Sequence, residues 1–186
     1  MFIDRILYPV TALGPGKRIA LWTVGCHRKC ERCSNPELWN TYKEQEICPK
    51  QVADYINQIC NRNLNDVDGI TITGGEPFNQ AGELVEVLKH LNRDIDVLVF
   101  TGYRLEDLQH DEEKKTLLEY VDVLIDGEYR YQLNDGTSAL RGSINQEILF
   151  LKGKKSQEYE IYLNQGRQIQ NVIYDYKTMS IGIHKE

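Results

Sequence analysis

Apolar residues fall into two alternating rhythms along most of the chain: short continuous runs, and longer stretches in which they recur every three or four positions. The first rhythm predicts buried strands and the second amphipathic helices. Residues 18–24, Arg-Ile-Ala-Leu-Trp-Thr-Val, predict a first strand running into Gly25. Pro49 suits a first helical turn, and Val52, Tyr55, Ile56, Ile59 and Cys60 then follow at helical spacing. Residues 69–73 predict a second strand, and Leu84, Val85, Leu88 and Leu91 a second helix. A third strand at 97–100, an acid-rich helix from about residue 105 to 120 and a fourth strand at 121–125 complete the series.

This alternation predicts an α/β fold with a mostly parallel sheet. Four strands are too few for a closed eight-stranded barrel, which leaves a partial (β/α) barrel or an open sheet splayed toward a partner. Unusual residues sit just after each strand, where α/β sheets gather their sites in one crevice. Beyond residue 150 the rhythm changes. Residues 159–163 and 168–174 flank Asn164-Gln165-Gly166 and read as a β-hairpin, and 180–184 as a further short strand. The expected organisation is an α/β domain over 1–150 and a C-terminal β extension, 151–186, packed on it. There is no internal repeat.

Composition narrows the functional classes. A chain of 186 residues with 41% hydrophobic content suits one domain. The net charge of −6, with scattered Lys and Arg, argues against a nucleic-acid partner. The Lys154-Lys155 pair reads as solvated surface. No apolar run reaches the ~18–20 residues of a membrane span and no secretory signal is visible, so a cytoplasmic protein without a membrane partner is expected. Five cysteines in such a chain read as thiols or metal ligands rather than disulfides.

Three of those cysteines lie in Gly25-Cys26-His27-Arg28-Lys29-Cys30-Glu31-Arg32-Cys33, a C-x3-C-x2-C spacing. Three thiolates on a compact loop suit three irons of a 4Fe-4S cubane and leave the fourth iron open to an outside ligand. The alternative is structural zinc with Cys48 as fourth ligand, although zinc usually takes two short cysteine pairs. Cys60 falls on the apolar face of its helix and reads as a core thiol.

The cysteine loop after a first strand, followed by Gly74-Gly75-Glu76-Pro77 after the second, resembles the radical S-adenosylmethionine (SAM) enzymes. The resemblance implies a 4Fe-4S cluster on Cys26, Cys30 and Cys33, with the methionine end of SAM held by Gly74, Gly75 and Glu76. Further matches narrow it to activases of glycyl-radical enzymes, above all those serving anaerobic ribonucleoside-triphosphate reductase. They are Gly14-Pro15-Gly16-Lys17-Arg18, Thr101-Gly102-Tyr103, residues 122–127, and Arg141-Gly142-Ser143-Ile144-Asn145-Gln146. Thr101 and Asp126 read either as SAM contacts or as strand-end and turn residues. Arg141 reads as a partner or anion contact.

Such an enzyme implies a large glycyl-radical subunit as partner and a low-potential electron donor such as flavodoxin or ferredoxin. Arg32 and Ser34 depart from the activase pattern around the third cysteine. With the longer tail, they keep open another glycyl-radical protein, a peptide or a small molecule as substrate. A non-enzymatic zinc or iron-sulfur module is the third reading.

Overall fold

Continuous apolar runs demand burial on both faces, and all six residues of strand β2 (Arg18–Thr23) are buried. The computed structural model describes residues 1–63, 66–92, 94–153, 155–174 and 176–184; Lys154 lies outside them. Strands β1 (Ile3–Val10), β2, β3 (Gly69–Gly74), β4 (Asp96–Phe100), β5 (Val123–Asp126) and β6 (Glu147–Phe150) form one sheet in chain order. The four from β2 to β5 run parallel, and β1 and β6 pair antiparallel at its edges. The α/β, mostly parallel expectation therefore holds, with two more strands than the sequence pattern indicates.

The connecting helices are α1 (Pro49–Arg62), α2 (Ala81–Lys89), α3 (Leu105–Gln109) and α4 (Glu112–Leu118). Because strand order never reverses, crossovers of one hand put their helices on a single face. Ile19, Leu21, Ile70, Ile72, Val97, Val99 and Leu124 point to that face and share a core with α1, α2 and α4. Cys60, at 4% exposure, belongs to this core.

The opposite face needs a different cover, which the C-terminal segment supplies. Helix α5 (Ser156–Asn164) brings Tyr159 and Tyr162 over Leu98, Val123 and Ile125. Strands β7 (Ile169–Tyr174) and β8 (Lys177–Gly182) form an antiparallel hairpin, and Ile181 packs with Ala20, Trp22 and Val24. The hairpin predicted around residues 164–166 is thus corrected: residues 159–163 are helical. Tyr159 and Tyr162, three apart, bury both rings on the sheet only if the segment is a helix. Asp111 likewise divides the predicted helix at 105–120, since its carboxylate accepts the Glu113 and Lys114 N–H groups, both at 3.1 Å, and starts a new helix.

A polar network closes the amino ends of the strands. The fully buried Arg18 donates from Nε to Thr71 Oγ1 and from Nη2 to the Ile70 carbonyl, each at 2.7 Å. Its Nη1 lies 2.7 Å from Asp96 Oδ2, the oxygen that also accepts the Tyr159 hydroxyl at 2.8 Å. A Cβ at Gly69 would come within 2.4 Å of the Arg18 guanidinium, so only glycine leaves room for this pair.

Candidate functional site

At the carboxyl ends of the strands the chain leaves β2 through Gly25, whose N–H donates to the Leu38 carbonyl at 2.8 Å. Cys26 N–H then donates to the Trp39 carbonyl at 2.9 Å. These bonds fix the start of the cysteine loop. Lys29 and Arg32 adopt left-handed φ values of 47° and 53°, which curl the loop back at two points. Cys26, Cys30 and Cys33 are half-buried and line one cavity of about 230 Å³. Backbone N–H groups turn toward sulfur: Asn35 donates to Cys33 Sγ at 3.4 Å, and Arg28 and Lys29 to the Cys26 thiol.

Burial pushes the Cys26 and Cys30 thiols above the ordinary cysteine range, and the Glu128 charge adds to the effect at Cys30. Bound iron would supply the positive charge that holds them as thiolates. Among the described residues, no three His, Cys, Asp or Glu side chains converge on a point that would hold a single ion. A cubane, which takes one thiolate per iron, asks instead for thiolates spread around a volume. Three thiols around a shared cavity, with N–H groups directed at sulfur, fit that donor set. Cys48 is exposed at the start of α1 and does not line the cavity, so zinc lacks its fourth thiolate there.

Gly74, Gly75, Glu76, Thr101 and Gly102 line the same cavity. Gly74 has φ 112°, and a Cβ at Gly75 would lie 2.6 Å from the Gly25 carbonyl oxygen, so the end of β3 presses directly against the root of the cysteine loop. Glu76 N–H donates to that carbonyl at 2.9 Å. The Glu76 carboxylate, 2% exposed, accepts the Thr101 hydroxyl at 2.7 Å, Gly102 N–H at 2.8 Å and Phe78 N–H at 3.1 Å. Burial nevertheless pushes its pKa upward against the pull of those donors.

Arg28, which the sequence reading passes over, ties these parts together. Its guanidinium stacks 4.3 Å from the Tyr103 ring centroid and its Nε lies 3.9 Å from Glu76 Oε2. That Nε is buried and makes no hydrogen bond. No feature of the spacing singles Arg28 out from Lys29 or Arg32; only the fold shows that it turns inward.

Other candidates lie elsewhere. Asp126 accepts Leu105 N–H at 2.8 Å and Arg104 Nη1 at 3.0 Å, so it starts α3 and does not line the cavity; its neighbour Gly127 does. Arg141 also stays outside the lining and reaches Ser138 Oγ at 3.3 Å. Its motif acts through Gln146, whose Oε1 accepts Gly142 N–H at 2.8 Å and whose Nε2 donates to the Gly127 carbonyl at 2.8 Å. Gly142 and Gln146 thereby join the cavity wall. Residues 179–184 form a further stretch of lining; the sequence pattern marks a short strand at 180–184 but nothing that brings it to this site.

Comparison with known proteins places these features in a family. Residues 12–149 match the model of the 4Fe-4S single cluster domain. The chain is 36% identical over 155 residues to the anaerobic ribonucleoside-triphosphate reductase-activating protein of Enterobacteria phage T4, covering 80% of this chain and 93% of that one. It is 33% identical over 151 residues to the protein of the same name from Vibrio cholerae (76% and 93%), and 32% over 147 residues to that from Pasteurella multocida (76% and 92%). With its three cysteines inside the matched span, the chain belongs to the 4Fe-4S single cluster domain family and, within it, to the anaerobic ribonucleoside-triphosphate reductase-activating proteins.

Proposed function

We propose that this protein is a radical SAM activase which cleaves SAM reductively and generates a glycyl radical on an anaerobic ribonucleoside-triphosphate reductase. The observation that carries the reading is the meeting of Cys26, Cys30 and Cys33 with Gly74, Gly75, Glu76, Thr101 and Gly102 around one cavity. When bound, the 4Fe-4S cluster supplies one low-potential electron to SAM, whose C–S bond breaks to give methionine and a 5′-deoxyadenosyl radical that takes a hydrogen atom from a partner glycine.

The chain's own residues bind, orient and shield. Cys26, Cys30 and Cys33 would hold three irons of the cluster and leave the fourth without a protein ligand, open to SAM. Gly74 and Gly75 allow its methionine end to approach the backbone closely. The Glu76 carboxylate fixes the ends of β3 and β4 relative to each other through Thr101 and Gly102 and would offer an acceptor to the amino group of SAM. Arg28, stacked on Tyr103, keeps its positive charge near that carboxylate without a direct hydrogen bond from Nε. Asp126 serves this site indirectly, by setting the loop that carries Gly127. Arg141 stands outside the cavity and is assigned to the partner surface.

The electron donor is a low-potential carrier of the flavodoxin or ferredoxin type, and the enzyme works in the cytoplasm under anaerobic conditions. The test is to incubate anaerobically reconstituted, reduced protein with SAM and the large reductase subunit. Expected are 5′-deoxyadenosine and a glycine-centred doublet by electron paramagnetic resonance (EPR). Formation of 5′-deoxyadenosine without that doublet would move the substrate to another protein or molecule. One zinc per chain, with neither iron nor sulfide, would remove the enzyme reading altogether.

A further inference from the structure

The family match ends at residue 149, yet residues 179–184 line the cavity shared by the cysteines and the strand ends. Successive side chains of a strand point to opposite sides, so a strand that faced the cavity would contribute alternate residues. Here six consecutive residues take part, so the backbone of β8 and of the two residues after it borders the space along with side chains. Among the described residues β8 pairs only with β7, so its other edge keeps its backbone N–H and C=O groups for another partner.

The segment is held in place from several directions. Arg167, at the foot of β7, donates to Asn134 Oδ1 and to the Arg141 carbonyl, both at 2.8 Å. Gln170 joins β7 to the end of β1 through Thr11 N–H at 2.8 Å and the Pro9 carbonyl at 3.0 Å. The His184 carbonyl accepts Asn134 Nδ2 at 3.1 Å. Ile181 is 2% exposed among Val10, Leu13, Trp22 and Val24. This is a fixed wall.

We propose that β8 recognises the nucleoside half of SAM, a reading that rests on the SAM chemistry proposed above. Residues 179–184 are Met, Ser, Ile, Gly, Ile and His. None carries a carboxylate, lysine or arginine to answer the ammonium and carboxylate of the methionine half. The half-buried Met179 and Ile183 suit a purine face, while Ile181 anchors the strand to the core. An unpaired strand edge offers the alternating donors and acceptors that an adenine edge reads. The methionine half falls to the cluster and the Gly74–Glu76 side, and the adenosyl half to the wall opposite.

The experiment compares reconstituted wild type with two variants: a chain ending at Gly166, which keeps α5 and its Tyr159 anchor, and full-length Ile183→Glu. Iron and sulfide content and circular dichroism establish that each is loaded and folded. Binding of SAM, of 5′-deoxyadenosine and of methionine is then measured separately, methionine through its effect on the EPR signal of the reduced cluster.

Both variants are expected to lose at least tenfold in affinity for SAM and 5′-deoxyadenosine and to keep methionine binding within twofold. Unchanged 5′-deoxyadenosine affinity in Ile183→Glu overturns the proposal even if the truncated chain does not fold. Tighter SAM binding in the truncated chain overturns it too, since the hairpin would then compete with the ligand. If wild type itself binds no SAM, the failure belongs to the SAM reading and not to β8.

Discussion

Each end of the parallel strands places an arginine near a carboxylate, fully buried at one end and half-buried at the other, and the two pairs are built differently. At the amino ends Arg18 meets Asp96 at 2.7 Å, and its other nitrogens find Thr71 and the Ile70 carbonyl. At the carboxyl ends Arg28 stops 3.9 Å from Glu76, with its Nε unbonded, while the carboxylate is satisfied by backbone and hydroxyl donors. A guanidinium with every nitrogen engaged is a structural fastening. A guanidinium left short of its acid, beside a cavity lined by thiols, marks the end of the sheet arranged for an occupant.

If the two ends have these separate duties, substitutions at one should spare the other. The largest effect is expected for Cys30→Ala: iron and sulfide per chain should fall to background after anaerobic reconstitution, with no 5′-deoxyadenosine formed. Its unfolding free energy in urea should stay within about 1 kcal/mol of wild type, because the loop lies outside the apolar core. Arg18→Met should act in reverse, costing about 3–5 kcal/mol in urea unfolding by leaving Asp96 buried without its cation, while the folded protein still loads iron. A normal midpoint for Arg18→Met would remove the fastening role.

Tyr159→Phe should cost about 1–3 kcal/mol by withdrawing one donor from Asp96, again without loss of cluster content. The smallest effect is a pH dependence at the open end. Because Glu76 has a raised pKa when folded, the native state binds more protons than the unfolded chain between the unfolded carboxyl value of about 4.3 and the folded value. Its contribution to stability is therefore complete below about pH 4.3 and is lost as pH rises through the folded value. The stability of wild type relative to Glu76→Gln should fall across that window by at most about 1.4 kcal/mol per pH unit. A difference that stays flat in paired urea titrations would show that Glu76 titrates as an ordinary exposed acid.

Much of this was legible in the chain itself, for identifiable reasons. The parallel strands announce themselves because burial on both faces makes their apolar runs continuous, as in Ile19-Ala20-Leu21-Trp22. The three cysteines stand out because they crowd into eight residues of one loop. Strand β1 escapes notice because its residues are mostly half-buried and lack a clean alternation, and β6 has only two half-buried residues between exposed ends. Residues 159–163 mislead because Tyr159, Ile161 and Tyr162 favour strands until the sheet beneath them is known. Asp126 and Arg141 mark the right loops, yet the groups that reach the cavity there are Gly127, Gly142 and Gln146. Side-chain direction at a turn depends on contacts made across the fold, which local sequence does not encode.

The distance along the chain between the thiols and the strand that walls their cavity bears on biosynthesis. Cys26, Cys30 and Cys33 leave the ribosome well before Met179, so a nascent chain presents these thiols before the strand that walls their cavity has been made. If they hold a cluster as proposed, iron and sulfide would have an open approach until β8 is translated.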